Sequence, residues 1–385
     1  MVVEAVVYAV AEELVETLAF DTDIEALVRP EILGLESHLP EDTLSIASRR
    51  LGMSPEDIVK LDANENPYGC SVRVQELLAS FDQYHIYPDP LQTSLRTRLE
   101  QYTGVKRERI LLANGVSELT DLMMRVFVRP GDDIIICPPT VHFYRLFAGL
   151  AGANIVEIPR HPQTFDLQPD LILEAINERT KLILIGSPNN PTGNATSPAD
   201  LVKLLKSRAI VVVDESFYEF AGTTAAGLVA EFDNLVVMRS FNYWAGLAGL
   251  RIAYGLFPQE ILKHLWKVKA AYPVTVAQAL AAEASLDDER HYTTALNWLK
   301  NERGRLFRQL RKLNFLQPFP SQANFLLCHV VRGNAFAVKK RLERSGIFVK
   351  YLNSAELPNH LRISVGRPED TDRLMRSLLT MAEDV

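Results

Sequence analysis

Apolar residues fall along this chain in two alternating rhythms. Short runs rich in β-branched residues read as buried strands: Ile58-Val59, Ile110-Leu111-Leu112, Ile134-Ile135-Ile136, residues 181–185, Ile210-Val211-Val212-Val213 and Val236-Val237. Helically spaced stretches lie between them. Turn-forming clusters close several of the strands, at Asn114-Gly115, at Pro138-Pro139-Thr140 and across 187–193. Residues 46–51 predict a helix, and Ser54-Pro55-Glu56 predicts a second, capped helix start. A long helical region opens at Val276, and the remainder reads as a smaller α+β unit. Residues 2–20 are acidic and amphipathic and lack a basic leader, which predicts a helix packed on the body of the protein and not a signal peptide.

One stretch, 236–254, stands out. It runs from Val236-Val237 through Arg239-Ser240-Phe241-Asn242-Tyr243 into a Gly/Ala/Leu-rich turn that ends at Arg251. The small residues Ala245, Gly246, Ala248 and Gly249 predict a backbone that comes close to something bound there.

Composition narrows the function classes. The 385 residues give room for two domains and a large core, and 47% hydrophobic with 23% charged content is that of a soluble globular protein. A net charge of −7 argues against a nucleic-acid surface, which is normally basic. The three cysteines, Cys70, Cys137 and Cys328, are far apart and match no metal spacing, so they read as free thiols in a reducing, cytoplasmic setting. No apolar run is long enough for a transmembrane helix, so no membrane partner is expected.

Two positions carry recognisable chemistry. Gly115-Val116-Ser117 lies where a strand turns into a helix, and free backbone N–H groups at a helix start form an anion site. Asp214 closes a buried strand, where a carboxylate needs a partner.

With these positions in order, the chain resembles the fold-type I pyridoxal-phosphate (PLP) enzymes of class I/II, and among them the histidinol-phosphate aminotransferases. The resemblance runs from about residue 28 to the C-terminus, through Asn64-Glu65-Asn66-Pro67-Tyr68, His85-Ile86-Tyr87-Pro88-Asp89-Pro90, 110–118, 187–193, 214–218, 240–251, 320–325 and 361–366. It implies an α/β fold: a mostly parallel seven-stranded sheet with helices on both faces, plus a smaller α+β domain from both chain ends. The implied division is an N-terminal helical extension (1–27), a small domain (28–79 with 276–385) and a large domain (80–275). It also implies a homodimer in which Tyr68 reaches the partner's cofactor phosphate.

The roles implied for single residues follow from the same motifs. Gly115, Val116, Ser117, Ser240 and Arg251 would hold the cofactor phosphate, Asn190 its ring hydroxyl and Asp214 its ring nitrogen. Arg362, Lys350 and Asn324 would bind substrate, with Lys350 standing where relatives have a second arginine. The family's Schiff-base lysine falls on Tyr243, its ring-stacking aromatic on Val141 and its ring-hydroxyl tyrosine on Phe217. A phenol forms no imine and, with an ordinary pKa near 10, is a weak base at neutral pH. Lys267 and Lys269 read as solvated helix residues at the wrong spacing. The implied function is therefore amino transfer between an amino-acid or amino-phosphate substrate and 2-oxoglutarate, weakened or lost. The alternatives are a pseudoenzyme holding PLP, pyridoxamine phosphate (PMP) or another phosphorylated ligand without a covalent bond, or a PMP-dependent enzyme with a different base, for which His142 is the candidate.

Overall fold

The computed structural model describes residues 23–35 and 41–382. The helix expected over residues 2–20 lies outside the described residues. The described residues fall into two compact units, 23–35 and 41–382. In the first, Ile24–Leu27 and Pro30–Leu33 are single helical turns, and the Asp23 carboxylate caps the former by accepting from the N–H groups of Glu25 and Ala26.

The second unit is built on two sheets. Strand β1 (Val59–Leu61) belongs to the smaller one. The larger contains β2 (Ile110–Ala113), β3 (Asp133–Ile136), β4 (Asn154–Glu157), β5 (Thr180–Gly186), β6 (Ile210–Asp214), β7 (Leu235–Ser240) and β8 (Ala253–Leu256), in the order β2-β8-β7-β6-β5-β3-β4. Neighbours are parallel except at β8, which runs antiparallel to both β2 and β7. These strands are continuous apolar runs because both faces are covered. Ile183, Ile185, Val211 and Val213 pack on one side, and Leu182, Leu184 and Val212 on the other.

The smaller sheet adds β9 (Leu316–Pro318), β10 (Phe325–Val330), β11 (Ile347–Leu352) and β12 (His360–Ser364) to β1, in the order β1-β11-β12-β10-β9. Its core of Val59, Leu326, Leu361 and Ile363 is closed by Leu374 and Leu378 of the last helix, Pro368–Ala382.

Two local expectations are corrected. Residues 44–51 do form a helix, α1 (Leu44–Leu51), capped by Thr43, but Ser54-Pro55-Glu56 opens only a single 3-10 turn, Pro55–Asp57. The chain leaves that turn at once because Val59 pairs with Ile347 of β11, and a strand pairing overrides the capping signal. The small residues after Tyr243 also make room for something other than a ligand. Gly246 has φ +69°, and a Cβ there would run into the backbone of Gly69 and Cys70. The 64–70 loop docks at this point, and the Asn66 amide donates to the Trp244 carbonyl at 3.0 Å.

Candidate functional site

The parallel strands deliver their loops to one edge of the large sheet, the C-terminal edge, where ligands of open α/β sheets bind. Register does the rest. Ala253 of β8 pairs with Ala113 of β2 on one side and with Ser240 of β7 on the other. Gly115, Ser240 and Arg251 each lie within two or three residues of that junction, so three separate segments meet there.

Helix α2 (Val116–Phe127) starts in this junction with no side chain capping it, and Gly115 is its N-cap residue. Its first-turn N–H groups and the positive end of its dipole face the same point. Gly115 has φ +89°, and a Cβ on it would lie 2.9 Å from Arg251 Nη2 and 3.4 Å from Ser117 Oγ. The glycine thus leaves a cradle bounded by a guanidinium, a hydroxyl and a helix start. Arg251 is itself held at φ +60°. Ser240 is buried, and its Oγ accepts from the Asn242 N–H at 3.1 Å. Val116 is buried at the first helical position.

Asp214 ends β6 and is buried. Its Oδ1 accepts from the Ser216 N–H at 2.9 Å and from the Ser216 hydroxyl at 2.5 Å. Its Oδ2 accepts from the Tyr144 hydroxyl at 3.4 Å. It has no ion pair with any described cation. Burial pushes its pKa up, and the hydrogen bonds from Ser216 and Tyr144 only partly offset this.

Tyr144 was not assigned from sequence. It lies on helix α3 (His142–Leu150), which places its ring inside the protein, while His142 is exposed and Val141 half-buried. A helical repeat downstream of Pro-Pro-Thr is the one signal that would have found it.

The third corner belongs to the small sheet. Lys350 of β11 and Arg362 of β12 are paired in register. Arg362 is buried. Its Nη1 donates to Asn190 Oδ1 at 2.8 Å, its Nη2 donates to the Asp62 carbonyl, and its Nε has no partner. Lys350 Nζ lies 2.5 Å from a carboxylate oxygen of Glu41, a residue with no sequence signal of any kind. The Asn324 amide donates to the Asn64 carbonyl at 2.7 Å, so it ties the start of the 64–70 loop in place.

Tyr243 stands between these corners. The charges acting on its hydroxyl are those of Asp214, Arg362, Arg251 and Glu41, so it lies within electrostatic reach of all three. Burial and Asp214 raise its pKa and outweigh the two arginines, so the phenol stays protonated at neutral pH. Its ring stacks on Phe217, centroids 4.2 Å apart and planes 13° from parallel.

One lysine departs from expectation, and Tyr68 has neighbours of its own. Lys267 is exposed as expected, but Lys269 is buried at the end of the helix Gln259–Val268, its Nζ without a hydrogen-bond partner and 5.2 Å from the Trp266 ring centre. The leucine and tryptophan side of that helix packs inward and carries the lysine stem with it. Tyr68 lies on its own chain, 4.9 Å from the Trp298 ring, with the Arg367 guanidinium 5.6 Å away.

An aromatic cofactor bearing a phosphate would find the cradle at Gly115 for its phosphate and Asp214 for a ring nitrogen. The residues present fit those two ends. They offer a phenol, and no amine, at position 243.

Residues 56–378 match the model of the family described as aminotransferase class I and II. A histidinol-phosphate aminotransferase of Roseiflexus castenholzii is 43% identical over 368 residues, covering 93% of this chain and 99% of that protein. One from Dehalococcoides mccartyi is 42% identical over 326 residues, covering 85% and 91%. The crystal structure of histidinol-phosphate aminotransferase from Sinorhizobium meliloti, in complex with pyridoxal-5'-phosphate, superposes with a TM-score of 0.84 at 22% identity, covering 93% of this chain and 98% of that one. That structure speaks for the fold, a fold-type I aminotransferase architecture, and the curated relatives speak for the family. The chain belongs to the class I and II aminotransferases, with histidinol-phosphate aminotransferases as its relatives.

Proposed function

We propose that this protein holds a phosphorylated pyridoxal-type ligand, PLP or PMP, through non-covalent contacts alone, and that it does not carry out amino transfer by the family's lysine route. The observation that carries the reading is the contrast around position 243. Gly115, Ser117 and Arg251 lie close together, as a phosphate cradle requires, while the residue on which Asp214 and the two arginines act is a protonated phenol stacked on Phe217. In relatives a lysine is expected there, and PLP supplies an electrophilic carbonyl and an electron-withdrawing ring when bound.

Each of this chain's residues keeps a definable task. The first-turn N–H groups of α2 and Arg251 bind the phosphate, a pairing of helix end and guanidinium that suits a dianion. Asp214 is a buried carboxylate without an ion pair, so a protonated ring nitrogen would relieve the burial that raises its pKa. Asn190 and Arg362 are joined at 2.8 Å, which orients the guanidinium for the ligand's far end. Tyr243 can donate one hydrogen bond but takes no proton near neutral pH.

Calorimetric titration tests the reading. Both PLP and PMP should bind with similar affinity, and Arg251→Ala should weaken both by at least tenfold, since it removes a charge-assisted contact of roughly 1.5–3 kcal/mol. Failure of PLP, PMP and inorganic phosphate to bind at millimolar concentration would reject it. The small-molecule site is proposed to work in a homodimer, on the position of Tyr68 in its motif, with an interface above about 2,000 Å². Sedimentation at micromolar concentration should then show no monomer.

A further inference from the structure

Lys350 and Arg362 stand side by side across β11 and β12, a pair of cations suited to a doubly charged anion. Glu41 has already placed a carboxylate on one of them. Its Oε1 lies 2.5 Å from Lys350 Nζ, and the two side chains are only 29% and 30% exposed. The residue that follows keeps it there. The Asp42 carbonyl accepts from Lys60 Nζ at 2.6 Å, and the Asp42 carboxylate pairs with Arg50 at 2.9 Å. Lys60 belongs to β1, which pairs with β11 itself. Glu41 is therefore anchored to the same small sheet as its partner, 309 positions away in the sequence (350 − 41).

The groups facing Glu41 are Lys350, Arg362 and, across the pocket, Tyr243. Burial alone would raise the Glu41 pKa, but the hydrogen bond from Lys350 and the charges of Lys350 and Arg362 hold it below the ordinary carboxylate value, so it is ionised. Arg362 makes no ion pair with a described carboxylate, although the charges of Glu41 and Asp62 act on it: it donates to Asn190 and to a carbonyl, and its Nε is buried without a partner.

We propose that Glu41 is a specificity-determining residue: as a resident carboxylate on Lys350 it leaves the corner with one cation in no ion pair, Arg362, so the site takes a ligand end carrying a single negative charge and discriminates against a dianionic end. This rests on the reading of the pocket as an anion-binding site. The preferred end group is a lone carboxylate. A phosphate ester or a dicarboxylate must first displace Glu41 from Lys350.

The test uses two probes of the same shape, maleate (a dianion) and maleamate (a monoanion), titrated calorimetrically into the full chain at fixed ionic strength. Glu41→Gln should tighten maleate about three- to fivefold, the size expected for releasing one partly exposed ion pair, and maleamate less than twofold. Lys350→Met introduced into the Glu41→Gln protein should abolish the gain, because the freed cation is gone. An unchanged or weaker maleate affinity in Glu41→Gln overturns the proposal. So does an equal gain for both probes, or a gain that survives Lys350→Met. Thermal melts establish that each variant is folded. If PLP binds but Glu41→Gln leaves the maleate preference untouched, only this proposal fails. If neither protein binds any of these anions, the pocket reading fails with it.

Discussion

Tyr243→Lys is the substitution whose outcome the geometry constrains most tightly. The introduced amine would sit where the tyrosine hydroxyl now feels Asp214, Glu41, Arg251 and Arg362. Burial and the two guanidinium groups push an amine's pKa down, while the two carboxylates hold it up. Burial and the guanidinium groups thus favour the neutral amine, the form that attacks a carbonyl. The cost is local. Losing the ring that stacks on Phe217 at 4.2 Å removes about 0.5–1.5 kcal/mol of aromatic contact. With the packing lost around it, the total destabilisation is roughly 1–3 kcal/mol. A domain of this size tolerates that with a fall of several degrees in Tm. The variant, incubated with PLP, reduced with borohydride and digested, should carry the pyridoxyl mass on the peptide containing position 243. The parent protein should carry none there. A variant that is folded, holds PLP in its native state and still shows no addition at that peptide would refute the reasoning, since it would mean position 243 does not face the ligand.

Two further predictions concern the layer beneath the site. Glu219 is buried, with one carboxylate oxygen 3.4 Å from the Tyr102 hydroxyl and the other without a partner, and burial raises its pKa from 4.5 to about 8. The folded state then keeps a proton that the unfolded chain releases, so this group's contribution is full below about pH 4.5 and is lost as pH rises through about 8. Its slope reaches at most about 1.4 kcal/mol per pH unit, and Glu219→Gln should flatten the fall of Tm between pH 5 and 8. Arg239 pairs with Glu215 at 3.0 Å with both side chains 2% exposed, and also donates to the Thr224 hydroxyl at 2.5 Å. Arg239→Met strands a buried carboxylate and should lower stability by about 3–5 kcal/mol in urea unfolding, with little dependence on salt.

Much of the fold was legible because it rests on short-range signals. The runs 110–112, 134–136 and 210–213 are continuous apolar segments closed by turn residues, and each became a strand of the large sheet. Gly115 at the start of α2 was legible for a related reason, a strand turning into a helix, whereas its meeting with Arg251 was an expectation of the resemblance. What could not be read was who faces whom. Glu41 reaches Lys350 through the pairing of β1 with β11, and no spacing encodes that contact. Tyr144 reaches Asp214 because α3 turns its ring inward, although the motif had drawn attention to Val141. Lys269 looked like any other lysine near a helix end until the packing around Trp266 showed its stem to be buried. Gly246 belonged to the right stretch, but its partner proved to be the backbone of Gly69.

The central claim, a ligand held by the family's shell without the family's covalent bond, is tested most directly by mass spectrometry of the PLP-loaded protein before and after borohydride reduction. The account predicts one PLP per chain under native conditions and, after reduction and denaturation, a chain mass with no stoichiometric addition. A full pyridoxyl addition that survives denaturation would contradict it, because some lysine, with Lys269 the first to examine, would then be supplying the amine that Tyr243 lacks.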